Sequence, residues 1–115
     1  MNLVRGEIYL ANLNPSRGAE IGKVRPVLVV QSNKLNFTSH KTINILPLST
    51  ILIDNSSLRL RIKHRDQLEH DLDVVCDYIR AIDANKFTSN ILTKLTQKEM
   101  QQIEEKLEWI LGFHD

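Results

Sequence analysis

The sequence predicts an α+β fold that is mainly β: a small curled antiparallel barrel or sheet with a C-terminal helix packed against it. Three observations predict it. Short apolar segments of strand type recur from Glu7 to Ile82, turn-rich stretches separate them, and from Thr96 onward the pattern changes to helical spacing. Strands first and one helix last fit a curled sheet closed by a single helix. The chain has 115 residues, one domain's worth, and is read as a single domain over 1–115.

Glu7 to Asn12 reads as the first strand, with Ile8, Leu10 and Tyr9 sharing its burial together with Leu13. Asn14 to Pro26 reads as a loop, because Pro15, Gly18, Gly22 and Pro26 interrupt any regular element. An irregular stretch of that length in a small domain is often functional. Val27 to Gln31 is a continuous, β-branched apolar run and reads as a buried strand. Ser32 to Lys41 is polar and turn-like, Thr42 to Leu48 reads as a strand, and Asp54 to Ser57 as a turn.

From Leu58 to Lys63 the chain alternates strictly. Leu58, Leu60 and Ile62 fall on one face, and Arg59, Arg61 and Lys63 on the other. Asp73 to Ile82 is a further β-rich stretch. Thr96 followed by Glu99 forms a capping box, Met100, Ile103, Leu107, Ile110 and Leu111 fall at helical spacing, and Gly112 ends the helix.

Composition narrows the function classes. The chain is 42% hydrophobic and 25% charged, as ordinary globular proteins are. No segment has the run of about 18 apolar residues that a membrane helix needs. The first residues, Met1 to Gly6, carry no apolar signal core, so a cytoplasmic location is expected and no membrane partner. The lone cysteine, Cys76, excludes an internal disulfide framework and any metal site built on several thiolates. It reads as a small buried strand residue. Net charge is only +1, so a nucleic-acid site would depend on local clusters: Arg17, Lys23 and Arg25 early, Arg59, Arg61, Lys63 and Arg65 in the middle.

The early cluster is the richer candidate. A guanidinium at the base of a loop suits a phosphate, because its fork donates two hydrogen bonds at once. Pro26 restricts Arg25 to extended backbone, which helps fix the direction of its side chain. On composition alone a solvated loop with incidental charges is the competing reading. The middle cluster has two readings as well, a face that tracks RNA phosphates or a charged edge that resists aggregation. The histidines at 40, 64, 70 and 114 are scattered and show no paired spacing, and no His/Asp/Glu set has metal-ligand spacing. Trp109 reads either as a dimer contact or as buried within the monomer.

Three segments together resemble one family. Arg5-Gly6-Glu7-Ile8-Tyr9 leads to Leu13-Asn14-Pro15 with Arg17-Gly18-Ala19-Glu20, then to Gly22-Lys23-Val24-Arg25-Pro26-Val27-Leu28-Val29-Val30-Gln31. Pro47-Leu48-Ser49-Thr50 is a proline followed shortly by hydroxyl residues at a strand end, and Asp77-Tyr78-Ile79-Arg80-Ala81-Ile82-Asp83 follows. In order and spacing these resemble MazF/PemK toxins over roughly Arg5 to Gly112. The resemblance implies an SH3-like barrel of the MazF/CcdB/PemK type, usually a homodimer with RNA bound at its interface. It implies a sequence-selective, metal-independent endoribonuclease acting on single-stranded RNA without a cofactor, neutralised by a MazE-like antitoxin.

By the same resemblance Arg25 matches the catalytic arginine. Ser49 falls where many members have a catalytic threonine, with Thr50 next to it. Glu20 matches a glutamate at or beside the active site. Arg17, Ala19, Lys23, Asp77, Tyr78 and Arg80 are the implied RNA-binding positions. The chain departs from the family in having serine at 49 and in having tyrosine at 78, where members commonly have glutamine. A tyrosine more naturally stacks on a base than reads its edge.

The chemistry agrees with these residue types. The RNA 2′-hydroxyl attacks the adjacent phosphate, leaving a cyclic phosphate and a 5′-hydroxyl. The protein holds the phosphate in line and stabilises its growing charge. Arg25 is suited to that charge, since a guanidinium is effectively always protonated. Two rival functions remain: a non-enzymatic gyrase poison of the CcdB type, and an inactive RNA-binding module. The first is expected to lack the pairing of Arg25 with Ser49 or Thr50.

Overall fold

Alternation along the early strands divides their side chains between two cores, and that division shapes the molecule. The computed structural model describes residues 2–115. Its elements in order are β1 (Glu7–Asn12), β2 (Val24–Val29), a one-turn helix α1 (Asn33–Asn36), β3 (Thr42–Ser49), β4 (Arg59–Ile62), β5 (Leu72–Val75), β6 (Arg80–Asp83), a 3₁₀ turn at Ala84–Lys86, β7 (Thr93–Lys94) and α2 (Gln97–Leu111). Every strand pairing is antiparallel, in the order β4-β5-β3-β2-β1-β7, with β6 also on β3.

β3 organises the sheet. One edge pairs with β2 from Ile45 to Pro47. The other edge is shared, with Thr42 to Ile45 pairing with β6 and Leu48 and Ser49 with β5. The sheet therefore forks beside Leu46 and Pro47, and the turn between β5 and β6 sits at the fork. Pro47 brings no N–H to the strand, and a forked edge tolerates that loss.

Ile8, Leu28, Leu46, Leu48, Ile62, Leu72 and Val74 face the first core. α2 covers it with fully buried Ile103 and half-buried Met100, Leu107 and Ile110. Full burial of one such side chain contributes about 2 kcal/mol. Tyr9, Ala11, Leu13, Val27, Val29, Ile43, Ile45 and Ile82 face the second core, which Leu3 and Phe87 complete. The sheet is thus apolar on both sides, and this explains the continuous apolar runs in β2 and β3.

The capping box forms as the sequence predicts. Glu99 N donates to Thr96 Oγ1 at 3.1 Å, and Thr96 N donates to Glu99 Oε1 at 2.8 Å. Arg65 grips the same carboxylate in fork geometry, Nη1 to Oε2 at 2.9 Å and Nη2 to Oε1 at 2.8 Å. That bond fastens the start of α2 to the chain after β4. Gly112 adopts the left-handed conformation (φ 66°) that ends the helix.

Several expected boundaries move. The expected loop from Asn14 to Pro26 stops at Lys23, because β2 begins at Val24 and pairs Asn12↔Val24, Ala11↔Arg25 and Leu10↔Pro26. β2 ends at Val29 rather than at Gln31, whose buried amide instead bonds Asn36, Thr42 and Asn44. α1, capped by Ser32, stands within the stretch read as turn. The stretch from Asp73 to Ile82 is two strands with a turn between them. β7 and the 3₁₀ turn are additions. Leu111 and Trp109 are not buried: Trp109 is 68% exposed, near the end of α2. Cys76 is fully buried, and burial pushes its thiol up to about 11.

Candidate active site

The side chains that could meet a phosphate lie on the sheet face opposite α2. Arg25 pairs with Ala11 and Arg80 with Ile45, and both partners belong to the second core. Ser49 continues the same alternation at the end of β3. The last β2–β3 partners are Val27 and Pro47, and two residues further along each strand come Arg25 and Ser49. Two strands, rather than a loop, therefore bring together the guanidinium and the hydroxyl.

Both arginines are held by carbonyl oxygens. Arg25 Nε donates to Gly22 O at 2.9 Å, and its terminal nitrogens make no hydrogen bond among the described residues. Arg80 Nη1 donates to Leu13 O at 3.2 Å and to Ile21 O at 3.4 Å. Neither has a carboxylate partner among the described residues. Each is oriented by a neutral dipole and keeps its full charge for an anion.

The loop that supplies those carbonyls is folded on itself. Asn14 Oδ1 accepts from Lys23 N at 2.9 Å, and Leu13 N donates to Lys23 O at 2.8 Å. Glu20 Oε1 accepts from Arg17 N at 2.7 Å. A Cβ on Gly22 would lie 2.5 Å from Ser16 Oγ and 2.8 Å from Asn14 Oδ1, so a larger residue would have to displace the Ser16 and Asn14 side chains, the second of which holds Lys23 N. Lys23 adopts the left-handed region at φ 67°, which costs a lysine about 1 kcal/mol.

An open pocket of about 330 Å³ lies between this loop and the fork in the sheet. Ala19, Glu20 and Ile21 form one wall, Pro47 the floor, and Asp77, Tyr78, Ile79 and Arg80 the other wall. Of the residues singled out in the sequence, Ala19, Glu20, Asp77, Tyr78 and Arg80 meet here, and Tyr78 is half-buried. Arg17 and Lys23 are exposed on the loop and do not line the pocket. Ile21 and Ile79 are additions; an isoleucine in a loop or in a β-rich stretch carries no signal that it borders a cavity.

Ser49 and Thr50 part company. Ser49 is 6% exposed, and its Oγ accepts from Ile51 N at 3.1 Å, which leaves its O–H free to donate. Thr50 is exposed and lines a different pocket with Leu52, His64, Glu69, His70 and Asp71. His64 and His70, without paired spacing in the sequence, meet there because the β4–β5 hairpin folds them together. His64 Nδ1 lies 2.9 Å from Asp71 Oδ1.

The basic face expected on β4 is neutralised. Asp73, 1% exposed, accepts from Arg61 Nε on Oδ1 at 2.5 Å and from Arg59 Nη1 on Oδ2 at 3.3 Å. Arg61 Nη2 also bonds Asp54 at 2.9 Å. Burial alone would raise the Asp73 carboxyl, but the Arg61, Ile53 N–H and Arg59 bonds outweigh it and hold the carboxyl below its usual range. Only Lys63 of that face is free of a carboxylate among the described residues.

Comparison with known proteins places this chain in a family. The model of the PemK-like, MazF-like toxins of type II toxin–antitoxin systems matches residues 4–111. The chain belongs to that family. It is 33% identical to the endoribonuclease EndoA of Bacillus subtilis over 118 aligned positions, covering 100% of this chain and 99% of that protein. It is 30% identical to the endoribonuclease MazF of Staphylococcus saprophyticus, covering 96% of this chain and 92% of that protein. The same fold occurs in MazF from Deinococcus radiodurans, with a TM-score of 0.83 and 18% identity over 98% of this chain and 99% of that one. It also occurs in a mycobacterial endoribonuclease solved in complex with its cognate antitoxin, with a TM-score of 0.76 and 21% identity over 96% of each chain. The SH3-like, MazF-type barrel with a C-terminal helix is therefore the fold of this chain.

Proposed function

We propose that this chain, as a single domain over 1–115, is the toxin of a type II toxin–antitoxin system and cuts single-stranded RNA without a metal cofactor. The observation that carries this reading is the placement of Arg25 and Ser49 on adjacent strands, on one face, with the Arg25 charge uncompensated. Arg25 binds the scissile phosphate and stabilises the charge that develops on its oxygens as the 2′-hydroxyl attacks. Ser49 donates a further hydrogen bond to the same phosphate. Thr50 faces another pocket, so of the two hydroxyls the reading assigns the role to Ser49.

The pocket beside Tyr78 and Arg80 takes a neighbouring nucleotide, its base stacked on the Tyr78 ring and its phosphate on Arg80. Glu20, already accepting from Arg17 N, borders that nucleotide as a positioning group. Arg17 and Lys23 add charge at the rim, and Ala19 and Asp77 border the bound strand. The curated relatives named as endoribonucleases and the neighbour bound to its antitoxin support an RNA substrate and an antitoxin partner of the MazE type. Exposed Ile51, Leu52 and Ile53 after Ser49 suit a homodimer contact. The cytoplasm, where messenger RNA and the antitoxin are found, is the working location. A gyrase-poison role has no observation in its favour.

The deciding experiment incubates the purified protein with a long single-stranded RNA in EDTA and maps the cut ends, beside Arg25→Ala. Cuts at one recurring short sequence, bearing cyclic phosphates and absent in the variant, are expected. Intact RNA with a folded, antitoxin-free protein overturns the reading.

A further inference from the structure

The stretch after Ser49 exposes three large apolar side chains in succession, Ile51 at 72%, Leu52 at 42% and Ile53 at 49%. An exposed stretch of this kind gains no order from a core of its own. Within this chain its backbone is held by hydrogen bonds that converge on one buried carboxylate. Asp73 Oδ2 accepts from Ile53 N at 2.9 Å. Arg59, bonded to Asp73 Oδ2, uses the same Nη1 to donate to Ile51 O at 2.9 Å. Arg61 bonds Asp73 Oδ1 and Asp54 Oδ1, so it fastens the far end of the stretch. Asp73 is also the register partner of Ser49 across the β3–β5 pairing.

The chain of contacts then returns to the hydroxyl. Ile51, with its carbonyl fixed by Arg59, donates its own N–H to Ser49 Oγ at 3.1 Å. A hydroxyl that accepts from a fixed backbone N–H has its proton directed away from that donor. We propose that Asp73, acting through Arg59 and the backbone of Ile51 and Ile53, is a positioning residue for Ser49 that fixes its hydroxyl as a hydrogen-bond donor to the bound phosphate. The inference rests on the assignment of Ser49 to the phosphate. It also gives Arg59 and Arg61 a role other than tracking RNA: their charge balances a buried carboxylate, and their hydrogen bonds hold a loop.

The test has one arm that needs no RNA and one that does. Asp73→Asn keeps the shape of the side chain and removes its charge. Arg59→Met keeps the aliphatic stem and removes the bond to Ile51 O, and it stands in if Asp73→Asn does not fold. In the first arm, amide hydrogen exchange at Ile51 is read by NMR well below the melting temperature. Exchange at least 10-fold faster in Asp73→Asn or Arg59→Met is expected. Unchanged exchange in a variant that folds overturns the proposal, whatever the protein does to RNA.

In the second arm, single-turnover cleavage is read beside binding of an RNA carrying a 2′-deoxy substitution at the cut site. A rate loss of about 10-fold with binding kept within about 2-fold is expected. The decisive comparison adds Asp73→Asn to Ser49→Ala. If Asp73 acts through Ser49, the double variant is no slower than Ser49→Ala alone. Equal fold-losses in the two backgrounds would reduce Asp73 to a structural ion pair and overturn the proposal. Faster Ile51 exchange in a protein whose native form leaves RNA intact would instead support the positioning contact and refute the RNA reading on which the proposed role rests.

Discussion

Arg25 and Arg80, compared with Arg59 and Arg61, are the same side chain in opposite circumstances. The first pair is bonded only to carbonyl oxygens. The second pair is bonded to the carboxylates of Asp73 and Asp54. A carbonyl orients a guanidinium without cancelling its charge, whereas a carboxylate does both. On the proposed reading the pair that serves a phosphate is the one without an acidic partner among the described residues, and a count of basic residues cannot tell the pairs apart.

The largest expected effect separates the pairs directly. Arg25→Ala loses about 10²- to 10³-fold or more in cleavage rate while its melting temperature stays close to native. Asp73→Ala, which strands the other pair, loses about 2 kcal/mol of stability by denaturant unfolding, less than a fully buried ion pair because Arg61 remains a third exposed. A folded Arg25→Ala protein that cuts at the native rate would break the comparison.

Next in size is the contrast between the two hydroxyls. Ser49→Ala should slow single-turnover cleavage about 10²-fold, and Thr50→Ala should leave it close to native. The reverse order would move the chemistry to the pocket shared by Thr50 and His64. A smaller effect is in the salt dependence of RNA binding. Each phosphate contact on a single strand contributes a slope of about −0.7 in log affinity against log salt. Arg80→Met should flatten the measured slope by about that amount, and Arg61→Met should leave it unchanged.

The smallest effect is on stability against pH. The Asp73 carboxyl lies below its usual range because the Arg61, Ile53 N–H and Arg59 bonds outweigh its burial, and Glu99 does so chiefly because of Arg65. A carboxyl depressed in the folded state stabilises above its unfolded value of about 4 and loses that contribution as pH falls through its folded value. Native melting temperature should therefore be level near neutrality and fall in acid. Asp73→Asn should start lower and fall less, so that the two curves converge; parallel curves would refute the role given to that carboxylate.

Legibility in the sequence followed the range of the interactions involved. β1, β3 and α2 were readable because alternation, an apolar run and a capping box are local patterns. The start of β2 was not, since Gly22 and Pro26 read as breakers and only pairing with β1 makes Val24 to Pro26 a strand. β7 has two residues, too few for a period to show. Within the site, family likeness singled out Arg25, Ser49 and Thr50 without ranking the two hydroxyls; the alternation at the end of β3 puts Ser49 on the face of Arg25 and leaves Thr50 at another pocket. The partner of Arg59 and Arg61 lies beyond a hairpin turn, so their neutralisation is a tertiary fact. The meeting of His64 with His70 has the same origin.

Lys23 carries a tension of its own. Its left-handed backbone suits glycine or asparagine better than lysine, yet the proposed function uses its exposed cation two residues before Arg25. Variants selected for heat resistance alone should drift toward glycine or asparagine at this position, and variants selected for growth arrest should retain the cation. The residue found at 23 would then record which of the two pressures a lineage has experienced.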